Sequence, residues 1–274
     1  MQAPVYDLVI FSDLHLGSEV SRAREALDLL RSLSFHRLIL LGDIFCDLNF
    51  GRLKKEHWQF LSYIRKLSNP KRNVQVIWVE GNHDHGLTDV MSHLVGVQVY
   101  KEYVWECAGV WNIAIHGHQF DNFIIKNRMF ISGFANSVYL AIQRLSSKGM
   151  LVARLLDRLN TCWQRLTPKV ADGALAYAKS RGATRIFCGH THEAVARVAN
   201  GVSYFNAGSW TNSRCTYVTV RGQEVSINEY IGEYIGRVDD CHTGEERGDP
   251  AASPAEVFAE SGLSADLGYE SIPG

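Results

Sequence analysis

The 274-residue chain reads as an α/β fold, with βαβ units in its first half and a second sheet completed by its C-terminal third. Three observations predict this. Five short apolar runs rich in β-branched and aromatic residues punctuate the chain. Stretches of helical period separate the earlier runs. From 193 to 229, short strand-like runs follow one another with only turns between them.

The five runs are VYDLVIF (5–11), LILL (38–41), VQVIWV (74–79), WNIAI (111–115) and TRIFC (184–188). They are too short for ordinary helices and read as buried strands. Residues 19–33 set Val20, Leu27, Leu30 and Leu33 near helical spacing, and 53–67 do the same with Leu53, Phe60, Leu61 and Ile64. AVARVA, VSYFNA, RCTYVTV and EVSINEY are predicted to form a β-meander that finishes the second sheet. Residues 1–118 and 171–238 therefore form the expected core. Residues 119–170, apolar and basic with helical period, read as an insertion, and Gly149 is expected to divide it into two helices. Residues 239–274, rich in Gly, Ser, Pro, Ala and acids, are expected to be disordered.

With 46% hydrophobic and 21% charged residues, the composition is that of a soluble globular protein. A net charge of −1 provides no global attraction to nucleic acid. Six cysteines, at 46, 107, 162, 188, 215 and 241, form no C-x-x-C pair and suit free thiols in a reducing compartment. The opening MQAPVYDLVIFSD enters a strand without a basic n-region, so no signal peptide is expected. No apolar run is long enough to span a bilayer. A cytoplasmic location is expected.

Each of the five strands is followed at once by metal-ligand residue types. They are Asp13 and His15; Asp43, with Asp47 four residues on; Asn82, His83 and Asp84; His116 and His118; and His190 and His192. Ligands of open α/β sheets bind beyond the carboxyl ends of the strands, so five strand ends can converge on one place. Asp13 and His15 are two residues apart, as are His190 and His192. In an extended turn, residues i and i+2 point the same way, so one loop can offer two donors. Glycines at 42, 81, 117 and 189 allow sharp turns and close approach. A single Gly-Asp after a strand is ordinarily just a turn. Five such groups at five strand ends point instead to metal.

Asp13, His15, Asp43, Asn82, His116, His190 and His192 are seven donors, more than one ion can use. Two ions sharing a carboxylate can use them all. The mixture of imidazole, carboxylate and amide suits Mn, Fe or Zn, with Mn expected, and the lack of Cys ligands argues against structural zinc. Such a pair of ions is suited to phosphoryl transfer.

D-L-H (13–15), G-D (42–43), G-N-H-D (81–84), H-G-H (116–118) and G-H-T-H (189–192), in that order, resemble the calcineurin-like metallophosphoesterase superfamily over residues 7 to about 215. The resemblance implies a four-layer αββα sandwich of two sheets flanked by helices. It also implies residue roles. Asp13, His15 and His192 would hold one ion, Asn82, His116 and His190 the other, and Asp43 would bridge them. His83 would stabilise phosphoryl oxygens or protonate the leaving group, oriented by Asp47 or Asp84.

The insertion speaks to substrate. It holds eight basic residues and two acidic ones, a local charge of 8 − 2 = +6. Arg154, Arg158, Arg165 and Lys169 line one helical face, and Leu151, Leu155, Leu159, Cys162 and Leu166 a neighbouring one. Such a basic amphipathic helical cap suits an anionic lipid or a membrane surface. This layout is similar to the UDP-2,3-diacylglucosamine hydrolases of lipid A synthesis, peripheral enzymes of the inner membrane surface that release UMP and a lipid monophosphate. The similarity implies that Asp121, Lys126, Arg128, Arg154 and Arg158 contact sugar and phosphates. The chain departs from that branch at His83, where the branch has Arg, and at H-G-H, where it usually has H-G-D. A nucleotide or cyclic-nucleotide phosphodiesterase, or a nuclease, would use the same metals. A nuclease should show a longer basic track with stacking aromatics, so nucleic acid is not the favoured partner. A non-catalytic scaffold is disfavoured because no ligand position is missing.

Overall fold

The computed structural model describes residues 4–84, 86, 92–93, 95–121 and 167–231. The expected tail (239–274) and residues 122–166 of the expected cap lie outside the described residues.

The five apolar runs are strands. They are β1 (Val5–Phe11), β2 (Ser34–Leu41), β3 (Gln75–Val79), β6 (Val110–Ala114) and β7 (Arg185–Cys188). Two further strands, β4 (Val99–Tyr100) and β5 (Tyr103–Cys107), precede β6. The C-terminal strands are β8 (Val195–Ala199), β9 (Val202–Asn206), β10 (Cys215–Arg221) and β11 (Glu224–Tyr230). Three α-helices are described: α1 (Ala23–Ser32), α2 (Lys55–Leu67) and α3 (Thr167–Ser180), the last running across the 170/171 boundary between insertion and core.

The strands form two sheets. The first has the order β11-β10-β1-β2-β3-β4 and the second β5-β6-β7-β9-β8. In the first, β1, β2, β3 and β4 are parallel, as βαβ connections require, while β10 runs antiparallel to β1. The expected meander is therefore corrected. β8 and β9 join the second sheet, but β10 and β11 extend the first. Residues 207–214 carry the chain across. Ala207 N–H donates to the Cys188 carbonyl of β7, and three residues later Trp210 N–H donates to the Asp13 carbonyl after β1. The Trp210 ring stacks on Phe11, with centroids 4.7 Å apart. Alternation reveals a strand but not the sheet in which it pairs.

Period-two geometry sorts the apolar side chains into three layers. Val9, Phe11, Leu38 and Leu40 face α1 and α2, where they meet Leu27, Leu30, Phe60 and Ile64. Their neighbours Leu8, Ile10, Ile39 and Leu41 face the other way and meet Trp105, Ala114 and Phe187 of the second sheet. On the far side of that sheet, Ile113, Ile186 and Tyr204 pack on Ala171, Ala174, Leu175 and Ala178 of α3. The order is thus helix, sheet, sheet, helix. Stretches of strand buried on both faces need unbroken apolar runs, and this is why LILL and the VIWV end of β3 do not alternate.

Candidate metal centre

The carboxyl ends of β1, β2, β6 and β7 open onto one place, together with the loop after β3. Asp13, His15 and His192 offer donor atoms within 4.8 Å of one another, and so do Asp43, His116 and His190. His15, Asp43 and His83 form a third such group. Asp13 Oδ1 lies 3.2 Å from His192 Nε2 and 3.7 Å from His15 Nε2. Asp43 Oδ2 lies 3.3 Å from His116 Nε2 and 3.9 Å from His83 Nε2.

The backbone that presents these side chains is not the extended turn expected from the i, i+2 spacing. Asp13, His15, Asp43, His190 and His192 all have left-handed φ, between 49° and 67°. That conformation costs a non-glycine residue on the order of 1 kcal/mol and gathers at functional sites. Two glycines instead permit close approach. A Cβ on Gly189 would overlap the Ser12 hydroxyl, and one on Gly81 would overlap Asp43.

Hydrogen bonds fix the rings and carboxylates. His116 Nδ1 lies 2.9 Å from the Leu41 carbonyl, which assigns the proton to Nδ1 and leaves Nε2 as the donor atom toward Asp43. His83 Nδ1 lies 2.8 Å from the Cys46 carbonyl. Asp13 Oδ2 accepts from the His190 N–H at 3.0 Å and also from the Ser12 hydroxyl. The His83 backbone N–H donates to Asp43 Oδ1 at 2.8 Å.

The electrostatics follow from burial and these pairings. Burial alone would raise Asp13, but the His192 and His116 rings hold its carboxyl well below the usual carboxylate range. Asp43 is likewise held down against its burial by His116 and His83. Burial disfavours a charged His116, yet Asp43 and Asp13 overcome it and push that ring up to about 10, so a cation bound there would take the place of the Nε2 proton. Burial lowers His15 and His190 below the usual imidazole value, which keeps them neutral and able to ligate. The donor set fits a divalent cation. Asp13 Oδ1, Asn82 Oδ1 and His116 Nε2 are buried and have no hydrogen-bond partner among the described residues. Buried polar atoms are ordinarily satisfied, so unsatisfied donor atoms among clustered Asp and His side chains are what a bound cation would complete.

The other predicted residues lie as follows. His83 is partly exposed, and the carbonyl of Cys46 holds its ring. This corrects the expectation that Asp47 or Asp84 orients it. Asp47 binds Arg52 Nη1 at 2.5 Å and the Asn49 N–H at 2.9 Å. Asp84 is buried and clasps the Gly81 and Ile44 N–H groups at 2.6 and 2.9 Å, tying the β3 loop to the β2 loop. Burial, reinforced by the Asp43 charge, pushes Asp84 up to about 6. Asp121 is buried beside His190, with Oδ2 3.3 Å from Nε2. Lys126, Arg128, Arg154 and Arg158 lie outside the described residues.

Asn206 was not anticipated. It is fully buried, and its Nδ2 contacts the Gly189 carbonyl at 2.7 Å, Tyr204 Oη at 3.0 Å and Thr191 Oγ1 at 3.1 Å. It therefore braces the loop that carries His190 and His192. The signal was present: Asn206 is a ligand-type side chain at the end of a strand, with Gly208 two residues on.

No curated protein sequence matches the chain. Among solved structures it is similar to Yfce, a phosphoesterase from E. coli, with 15% identity over 80% of this chain and 90% of that one and a TM-score of 0.46. It is also similar to an archaeal phosphodiesterase, at 15% identity over 81% and 98% with a TM-score of 0.44. A third is Vps29 of Entamoeba histolytica complexed with zinc, at 14% identity over 81% and 90% with a TM-score of 0.43. The model of the calcineurin-like phosphoesterase superfamily domain matches residues 7–223. That match spans most of the chain and all five ligand-bearing strand ends, and the chain belongs to this superfamily.

Proposed function

We propose that the protein is a dinuclear metal-dependent phosphoesterase that hydrolyses a phosphodiester or pyrophosphate bond. The observation that carries this reading is the pair of Asp/His groups, one of Asp13, His15 and His192, the other of Asp43, His116 and His190. Asn82 would join the second group, and Asp43 would face both ions. Divalent ions held there, manganese foremost, would polarise a phosphoryl group and lower the pKa of water. His83 stands at the exposed edge with Nδ1 held by Cys46, so Nε2 is the atom that would hand a proton to the leaving oxygen.

The substrate we propose is a lipid-linked nucleotide such as UDP-2,3-diacylglucosamine, cleaved to UMP and a lipid monophosphate by a cytoplasmic protein at the membrane face. The sequence of 119–170, with its charge of +6 and its density of apolar residues, supports that choice. Among the described residues, no helix is long and apolar enough to cross a membrane. Manganese-loaded protein should hydrolyse bis(p-nitrophenyl) phosphate, and Asp43→Ala or His116→Ala should abolish turnover. Undiminished activity in either variant would sink the dinuclear reading. Incubation with UDP-2,3-diacylglucosamine should release UMP. Rapid cleavage of unlipidated nucleotides with no response to the acylated one would remove the lipid assignment.

A further inference from the structure

Asp121 belongs to none of the five ligand groups, yet it is 1% exposed and its carboxylate lies 3.3 Å from His190 Nε2. A charged carboxylate is rarely buried unless it is paired. Its position follows from the chain path. After β6, the segment His116-Gly-His leads into a short 3₁₀ turn over His118–Phe120. Phe120 packs on Tyr177 of α3, with ring centroids 5.7 Å apart. Gly173 of α3 allows that ring to approach, since a Cβ there would lie 2.9 Å from Phe120 Cβ. With Phe120 anchored on the helix, the next residue turns inward against the β7 loop.

We infer that Asp121 is the positioning carboxylate of His190: it accepts the Nε2–H and so leaves Nδ1 as the ring's metal-donor atom. This rests on the dinuclear reading proposed above. An imidazole that ligates a metal through one nitrogen ordinarily donates its other N–H to a carboxylate or carbonyl, which sets tautomer and ring orientation and raises ligand basicity. His116 shows the same logic with a weaker acceptor, since its Nδ1 is held by the Leu41 carbonyl. The two rings would then ligate through opposite nitrogens, His116 through Nε2 and His190 through Nδ1. The role differs from the substrate contact expected for Asp121 from the sequence. A carboxylate buried against a ligand ring is placed to act on the metal, not on a sugar.

The test compares wild type with Asp121→Asn and Asp121→Ala. In metal-free wild type, long-range ¹H–¹⁵N spectra of the imidazoles should show His190 with its proton on Nε2. A proton on Nδ1 would overturn the inference whether or not any metal binds. In Mn²⁺ titrations, the variants should lose affinity for one of two ions by roughly 10- to 100-fold while the other is held as in wild type. The Asn variant, which can still accept the N–H but carries no charge, should lose less than the Ala variant. Unchanged affinity for both ions with a raised KM would assign Asp121 to substrate instead. Equal loss of both ions together with a lowered Tm would make it a structural residue only, and would equally overturn the inference. A wild type that binds a single ion would sink the dinuclear reading, and the tautomer would still decide the role of Asp121.

Discussion

The first sheet brings Asp13, His15, Asp43 and Asn82 to the site, whereas the second brings His116, His190 and His192. Both carboxylates of the paired groups thus come from one sheet, and the other contributes imidazoles alone. Each of these two groups nevertheless draws on both sheets, whereas the third, His15, Asp43 and His83, belongs to the first sheet alone. The paired arrangement therefore depends on the apolar layer between the sheets. The helix-facing layers support the fold without joining the two half-sites.

Removing Asp43, the carboxylate proposed to face both ions, should have the largest effect. Asp43→Ala should lower turnover by at least roughly 10²- to 10³-fold, the scale of several kcal/mol of lost charge stabilisation, and steady-state kinetics with manganese would measure it. Retained turnover would show that the sheets do not cooperate through Asp43.

Next come two core truncations of similar cost but different consequence. Phe187→Ala in the inter-sheet layer and Phe60→Ala on the buried face of α2 should each destabilise by about 3–5 kcal/mol in urea unfolding. Both side chains are buried, Phe187 at 1% and Phe60 at 0% exposure. Only the first should weaken uptake of both ions in equilibrium dialysis. Equal uptake by the two variants would break the contrast between the layers.

A smaller effect is expected at Asn206. Asn206→Ala leaves the Gly189 carbonyl and the Gly208 N–H without their side-chain partner, at about 1–3 kcal/mol. It should loosen the histidines of the second sheet while leaving Asp13 and Asp43 in place. His ring spectra would report the change.

The smallest effect leaves stability untouched. Burial pushes the Cys46 thiol up to about 11 and Cys215 up to about 12. Thiols stay protonated below their pKa, so at pH 8 the thiolate of Cys46 is on the order of one part in a thousand. Alkylation of Cys46 and Cys215 should be slow at pH 8 and accelerate toward their pKa values, while the partly exposed Cys107 reacts first among the described cysteines. Peptide mapping would show the order.

Much of this was legible in the sequence because two rules act locally. A stretch of strand buried on both faces must be apolar, which marked the C-terminal halves of β1, β2 and β3. Ligand residue types directly after a strand marked the convergent ends. What was not legible depends on long-range pairing or on backbone conformation. Residues 214–230 look alike whether β10 pairs with β1 or with β9. β5 went unread because YVWEC mixes polar and apolar residues between two turns, although the hairpin through Ala108 and Gly109 pairs it with β6. The orientation of His83 was missed because its partner is a main-chain carbonyl, which no side-chain pattern announces. The left-handed turns at Asp13 and His192 were missed because spacing alone cannot distinguish them from an extended bend.

Those left-handed residues also bear on how the site would decay. Glycine tolerates such a conformation at little steric cost, although it adds freedom to the unfolded chain. Replacing His15 or His192 by glycine would therefore remove a ligand and relieve backbone strain in one step, returning on the order of 1 kcal/mol of what the lost side chain costs, whereas at His190 the change would also remove the ring beside the buried Asp121 carboxylate. The site is then metastable in the genetic sense. Folding alone exerts little pull to keep it, and a lineage released from the chemistry could lose it through single replacements that leave the sandwich standing.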